Sequence, residues 1–280
     1  MRYSVRVHDR ERRSGSACFD DAAKATRDAL VLLGHEVIPS FGLAPGTDPG
    51  RAIIFGANND CNWLPGDAVI FNAEQVSAEG HSLMKNLSRY RQHVVWDYSQ
   101  TNVDWLKANG VDRAVLCPIG YVPSMERVKP APLDVDILWY GSLNERRQEV
   151  LAALEDARLG VRRLANVYGK ARSEWIGRSK VVLNWHFYDR PVFEIFRCSF
   201  LLANRKAVVT EGGGLDPGLE ELAKDACAVV TRENVVETCR ELCADANKRQ
   251  ALEMRGYEAF KKIDFTESVR RALAASDICV

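Results

Sequence analysis

From RYSVRV (2–7) to CAVVT (227–231), short apolar runs rich in valine and isoleucine alternate with helix-patterned segments. Few folds accept such a chain. Strand, helix, strand in succession is the pattern of a parallel sheet whose crossover helices cover both faces. In the first half the strand runs are RYSVRV, HEVIPS, AIIFGA (52–57), AVIFNAE (68–74), HVVWDY (93–98) and AVLCPI (114–119). DDAAKATRDALVLLGH (20–35) reads as an amphipathic helix that stops at Gly34, with Asp20 and Asp21 as capping residues. HSLMKNLSRYR and TNVDWLKANG supply further helical pieces.

The polar, proline-bearing stretch PSMERVKPAPLD (123–134) interrupts the alternation. It resumes with DVDILWYGS, GVRRLANVYG, KVVLNWHFY (180–188), a helix over 191–204, KAVVTE (206–211), GLEELAKDA and CAVVT, and the chain then stays helical to its end. The expected fold class is α/β, with two Rossmann-like, doubly wound domains. The first spans 1–124, the second 125–265, and a terminal helix covers 266–280. Ligands of such sheets bind beyond the carboxyl ends of the strands, so two facing sheets predict a central cleft.

Totals exclude several classes. The 280 residues carry 38 basic and 38 acidic side chains, so no net charge points to nucleic acid or a membrane surface. No apolar run reaches the roughly 18 residues that read as a membrane span, and MRYSVRVHDRERR lacks the apolar core of a signal peptide. The eight cysteines form no CxxC pair. Cys239 and Cys243 share a helix face, but no second pair completes a zinc set, so no metal is expected. A reducing cytoplasm is the expected compartment.

The candidate site residues stand where strands hand over to helices. In WYGSLNERRQE (139–149), a turn at Gly141 and Ser142 leads into Arg146 and Arg147 at a helix start. The free N–H groups and dipole of a helix N-terminus favour an anion, and arginine adds a fork of donors that fits phosphate. A solvated first turn with two surface arginines fits the same residues. Asn184 and His186 end the run KVVLN and open the following loop. Glu194 and Arg197 lie three apart, on one helix face, as ligand contacts or as a local ion pair. Glu211, Gly212 and Gly213 end KAVVTE, where glycine lets backbone N–H groups approach a ligand, or simply makes a loop. In the first half Glu74 and Asp97 end strands and are the candidates for a general base, with Asn72, Ser99 and Asn102 nearby. GxSxG and GxxxxGK[ST] are absent, and the first strand is not followed by GxGxxG.

The second half resembles the donor domain of GT-B glycosyltransferases of the family 1/family 4 group, over roughly 134–231. YGSLNERR resembles the glycine turn whose basic residue, here Arg147, holds the donor diphosphate. VYGKARSEWIGRSKVVLN resembles the segment lining the base pocket, FEIFRCSFLLANRKAVVTE the helix that carries a ribose-binding glutamate, and GGGLDPGLEEL the glycine loop beyond. RCSFLLAN is similar to a segment of bacterial members. The group's two glutamates eight positions apart are not intact, since Leu202 stands eight after Glu194. The resemblance implies sugar transfer from a nucleotide diphosphate sugar to an acceptor, without metal or other cofactor. Arg147, with Arg146, would neutralise the diphosphate, Glu194 would hold donor hydroxyls, and Asn184 and His186 would position the sugar. Arg197, Glu211 and the glycines would complete the donor site, with Glu74, Asp97 or His186 as catalytic groups. A non-catalytic nucleotide-sugar or partner-binding domain and a GT-B-like sugar epimerase remain open as alternatives.

Overall fold

A computed structural model describes residues 1–8, 14–38, 50–58, 64–75, 87–189 and 191–277. The chain divides into two compact units, Met1–Ser124 with Ile263–Val280, and Met125–Lys262.

The first unit contains β1 (Arg2–Val7), α1 (Asp20–Leu32), β2 (Glu36–Ile38), β3 (Arg51–Phe55), β4 (Val69–Asn72), α2 (Leu87–Tyr90), β5 (Val94–Asp97), α3 (Gln100–Ala108) and β6 (Ala114–Leu116). Its sheet runs β2-β1-β3-β4-β5-β6, and every pairing is parallel. β4 and β5 are buried along their whole length, as strands covered on both faces must be. Asp20 and Asp21 stand in the first turn of α1 instead of capping it; the cap position is Phe19, without a side-chain bond. The helix stops at Gly34, whose φ of 81° is left-handed. Of HSLMKNLSRYR, 81–86 lie outside the described residues, as do Cys61 and Cys279.

The second unit contains β7 (Val135–Tyr140), α4 (Glu145–Asp156), β8 (Val161–Leu164), α5 (Gly169–Arg178), β9 (Ser179–Asn184), α6 (Ile195–Ala203), β10 (Ala207–Glu211), α7 (Pro217–Ala226), β11 (Ala228–Val230), α8 (Val235–Ala244) and α9 (Ala246–Lys261). Its sheet, β11-β10-β9-β7-β8, is also parallel throughout. Ile137, Trp139, Val181, Leu183 and Val209 from its strands pack with Leu151 and Leu154 of α4 and Cys239 of α8. A last helix, α10 (Phe265–Ala275), belongs to the first unit. Asp264 caps it, and Trp96 of β5 donates to Ser276 just past its end at 3.0 Å. Gly120 permits the return: a Cβ there would lie 2.3 Å from the Ile263 carbonyl oxygen. Among the described residues no helix is long and apolar enough to cross a membrane.

The two sheets share one logic. In each, the second strand lies outside the first, and the third pairs with the first from the other side. Chain direction around the sheet therefore reverses between β1 and β3, and again between β7 and β9. Such a reversal opens a crevice at the strands' carboxyl ends, where ligands of open α/β sheets bind.

Candidate functional site

In the second unit, the crevice is bounded by the start of α4, which follows β7, and by residues 185–189, which follow β9. Asn144 caps α4, its side-chain oxygen accepting from the Arg147 N–H at 3.0 Å. The same first turn grips the opposite loop through three successive carbonyls. Arg147 Nε donates to the Trp185 oxygen at 2.7 Å, Arg146 Nη1 to His186 at 3.1 Å, and Asn144 Nδ2 to Phe187 at 2.9 Å. A loop with its backbone held at three consecutive residues presents its side chains in a fixed geometry.

Arg147 is only 3% exposed and has several partners. Nη1 donates to the Ser142 carbonyl at 2.8 Å and Nη2 to Glu194 Oε1 at 2.7 Å. Burial pulls its pKa down to about 10, although Glu194 opposes the shift, so the guanidinium stays charged at neutral pH. Arg197 reaches the other carboxylate oxygen at 3.0 Å. Its Nη1 is buried without an acceptor. Gly141 makes this approach possible, because a Cβ there would lie 2.7 Å from Arg197 Nη2, and its φ of 137° also favours glycine.

Arg146, expected beside Arg147 on the ligand, is committed elsewhere. It forms a two-pronged pair with Glu211, including Nη1 to Oε2 at 2.6 Å, and reaches Asp189 at 3.0 Å. Its hydrogen bonds to Glu211 raise its pKa. In place of Arg146, the structure joins Arg197 to Arg147. Three guanidiniums here face two sheltered carboxylates, and the third acid, Asp189, is 91% exposed.

Glu194 precedes α6 at its cap position, so the helix expected over 191–204 begins only at Ile195. Burial raises the pKa of its carboxyl, but Arg197, His186 and Arg147 together outweigh that and hold it well below the usual range. An acid depressed in the folded state stabilises the fold fully above its unfolded pKa, 4.5, and loses that contribution as pH falls towards the folded value. Glu194→Gln is therefore expected to flatten the acid limb of stability below about pH 4.5. Urea midpoints at neutral pH and at pH values below that limit, compared with wild type, check this. Parallel losses in both proteins would contradict it.

His186 is buried, and its Nε2 lies 3.1 Å from the Glu211 carbonyl oxygen. A carbonyl only accepts, which assigns the proton to Nε2. Nδ1 has no hydrogen-bond partner and lies 3.8 Å from Glu194 Oε1. Asn184, also buried, donates to Thr210 at 2.9 Å and leaves its Oδ1 unpaired. The glycine run differs from expectation. Gly212 N–H donates to the Val230 carbonyl at 3.1 Å, and Gly213 and Gly214 donate to the Glu220 carboxylate at 3.2 and 2.8 Å. These amides close the loop upon itself.

In the first unit, Asp97 ends β5 at 0% exposure. Its oxygens accept from Asn72 Nδ2 at 2.7 Å, Ser99 N–H at 2.9 Å and Asn102 Nδ2 at 3.0 Å. The same two amides hold the Glu74 carbonyl, at 2.8 and 3.1 Å. Glu74 lies two residues beyond the end of β4 instead of within it. Burial raises the pKa of its carboxyl, opposed by a hydrogen bond from Asn58. Asp97 is thus held as the centre of a network, whereas Glu74 is an acid with raised proton affinity. Asn144 and Phe187 were not singled out in sequence, although Asn before Glu-Arg-Arg is a legible cap signal.

No family model matches the chain, and no curated protein matches it. Solved structures do. WaaG, a glycosyltransferase involved in lipopolysaccharide biosynthesis, aligns over 99% of both chains at 13% identity with a TM-score of 0.61. Anabaena HepE in complex with UDP and glucose aligns over 99% of both chains at 12% identity, TM-score 0.64. The chain has the GT-B fold. T4 phage BGT in complex with its UDP-glucose substrate also aligns, over 99% of this chain and 100% of that one, at 13% identity and TM-score 0.59. At these identities it is the GT-B architecture that is shared: two parallel sheets, of six and five strands, with interleaved helices.

Proposed function

We propose that this GT-B chain transfers a glycosyl group from a nucleoside-diphosphate sugar to an acceptor hydroxyl. The observation that carries this reading is the pairing of Arg147 and Arg197 on the single carboxylate of Glu194 at the crevice of the second sheet. Two cations sharing one anion leave positive charge in excess, and Arg197 Nη1 has no acceptor. A diphosphate supplies both the missing charge and the missing oxygens. As the bond from the sugar C1 to the diphosphate oxygen breaks, negative charge grows on that oxygen. Preorganised cations next to it lower the barrier. A bond from the acceptor oxygen to C1 forms, and the acceptor proton leaves to a base. An inverting reaction calls for a protein base, and in the first unit Glu74 is an acid whose proton affinity burial raises. Glu194 keeps 25% of its side chain exposed and accepts from donor hydroxyls. The arginine pair fills the charge role that a divalent metal would otherwise have.

The test is thermal unfolding with UDP, GDP, ADP and dTDP, each with and without EDTA. A ligand that binds only the native state raises the midpoint by mass action, about 2.7 kcal/mol of stabilisation at a hundred times Kd. One nucleotide is expected to raise it, with no loss in EDTA. Absence of any shift would remove the donor reading, and a shift abolished by EDTA would remove the metal-free one. Release of free sugar from the matching donor separates an enzyme from a protein that only binds.

A further inference from the structure

His186 is the only histidine of Met125–Lys262. Histidine is also the side chain that ordinarily changes charge between pH 5 and 8. The ring is buried, and its two nitrogens meet acceptors on both sides. Nε2 lies 3.1 Å from the Glu211 carbonyl oxygen and keeps its proton there, because a carbonyl only accepts. Nδ1 therefore turns a lone pair towards the Glu194 carboxylate, whose Oε1 is 3.8 Å away. Two acceptors face each other with no donor between them, and Nδ1 has no hydrogen-bond partner. Moving the proton from Nε2 to Nδ1 would only transfer the conflict to the Glu211 carbonyl. A second proton on the ring satisfies both contacts at once, since imidazolium donates from both nitrogens. Charged groups approach from every neighbouring element. Arg146 and Arg147 come from α4, Glu194 and Arg197 from the start of α6, Glu211 from β10 and the exposed Asp189 from the ring's own loop. Arg146 and Glu211 pair with each other, so Arg147 and Arg197 face Glu194 with positive charge in excess.

We propose, resting on the donor reading above, that His186 is a positioning residue that takes up a proton from solvent as the site takes up its diphosphate. The new N–H at Nδ1 bonds Glu194 Oε1, the oxygen that Arg147 already holds. Glu194 then divides its charge among three cations, which frees more of Arg147 and Arg197 for the phosphate oxygens. An anion beside those arginines favours a further positive charge within a few ångströms. Proton and ligand therefore stabilise each other, and by linkage the coupling is the same in both directions. The demand grows during transfer, because the leaving diphosphate carries one more negative charge than the sugar nucleotide from which it departs. The sign follows. A ligand that favours the protonated ring binds more tightly at low pH and loses that advantage as pH rises through the histidine transition.

The experiment titrates wild type and His186→Gln with UDP-glucose and GDP-mannose by calorimetry between about pH 5.5 and 8, the range in which histidine ordinarily titrates. Their diphosphates are esterified at both ends and do not titrate there, so the ligand adds no proton of its own. Two buffers of different ionisation enthalpy count the protons taken up. Wild type is expected to absorb part of a proton per ligand bound, and its affinity to weaken about five- to tenfold from the acid to the alkaline end. Glutamine keeps a donor for the Glu211 carbonyl but takes up no proton, so the variant is expected to show neither effect. Binding that ignores pH, or strengthens as pH rises, overturns the proton site while the donor site stands. Proton uptake that persists in a folded His186→Gln protein assigns it to another group and overturns the proposal equally. Should the variant fail to fold, the nitrogen-15 shifts of the His186 ring in liganded wild type decide. Protons on both nitrogens near the acid end are expected, and a bare Nδ1 there overturns the proposal. If no sugar nucleotide binds wild type at any pH, the donor reading falls and this one falls with it.

Discussion

Arg147→Ala is expected to destabilise the second unit by about 3–5 kcal/mol, more than a surface arginine at a helix start could. The side chain is 3% exposed and fills three acceptors in its neighbourhood. Its loss leaves the Trp185 and Ser142 carbonyls and one oxygen of Glu194 without their donor. An alanine cannot replace them, and it also gives up the contacts of the guanidinium with Trp139 and Phe187, both within cation–π reach. Lysine restores the charge but not the fork, so Arg147→Lys is expected to recover only part of the loss. Urea unfolding at neutral pH measures it. A change below about 1 kcal/mol, the size typical of exposed ion pairs, would show that the residue is solvated. This outcome governs how nucleotide binding is read, because loss of binding in Arg147→Ala follows from misplacement of the 185–187 backbone as well as from loss of a phosphate contact. Arg197→Lys is the cleaner probe of the anion site, since Arg197 holds no carbonyl of that loop.

Asp97→Ala is expected to cost about 3–5 kcal/mol in the first unit. The carboxylate is at 0% exposure and is the acceptor for three donors. Removing it strands the Ser99 N–H in the interior and frees the amides of Asn72 and Asn102. Asp97→Asn is expected to cost less. It retains the oxygen that serves Ser99 and Asn102 but sets an NH2 group against the Asn72 amide. Asn72 cannot simply turn over, because its own oxygen accepts from the Tyr90 hydroxyl at 3.2 Å. Since Asn72 and Asn102 hold the Glu74 carbonyl, the asparagine variant is also expected to displace Glu74, and turnover falls more than donor affinity if Glu74 is the base of the reaction proposed above. Equal stability of wild type and both variants would refute the network. An unchanged rate in a folded Asp97→Asn protein would separate Asp97 from the chemistry.

Much of this was legible in the chain itself. Strands buried on both faces read as unbroken apolar runs, so VIFN, VVWD and KVVLN could be placed without knowing their neighbours. Gly34 marked the end of α1 through its left-handed backbone, and Gly141 marked the turn after β7. The alternation settled α/β architecture, because a parallel sheet needs crossover helices. The partners of charged side chains were not legible. Arg146 and Arg147 are adjacent and look equivalent, yet Arg146 meets Glu211, 65 residues away, and Arg147 meets Glu194, 47 away. The three glycines after β10 looked open to a ligand until the structure placed Glu220 on two of their amides.

The division has a physical cause. Periodicity, turns and caps are decided within a few residues by backbone sterics and local hydrogen bonds, so the sequence alone determined the order of strands and helices and the strand ends on which the candidate residues stand. Which guanidinium is satisfied and which keeps a donor in reserve depends on the crossovers that bring β7, β9 and β10 side by side. Only the tertiary structure set Arg197 against Gly141 and joined it with Arg147 on Glu194, because low-dielectric burial makes a charge depend on whatever the fold places within a few ångströms of it.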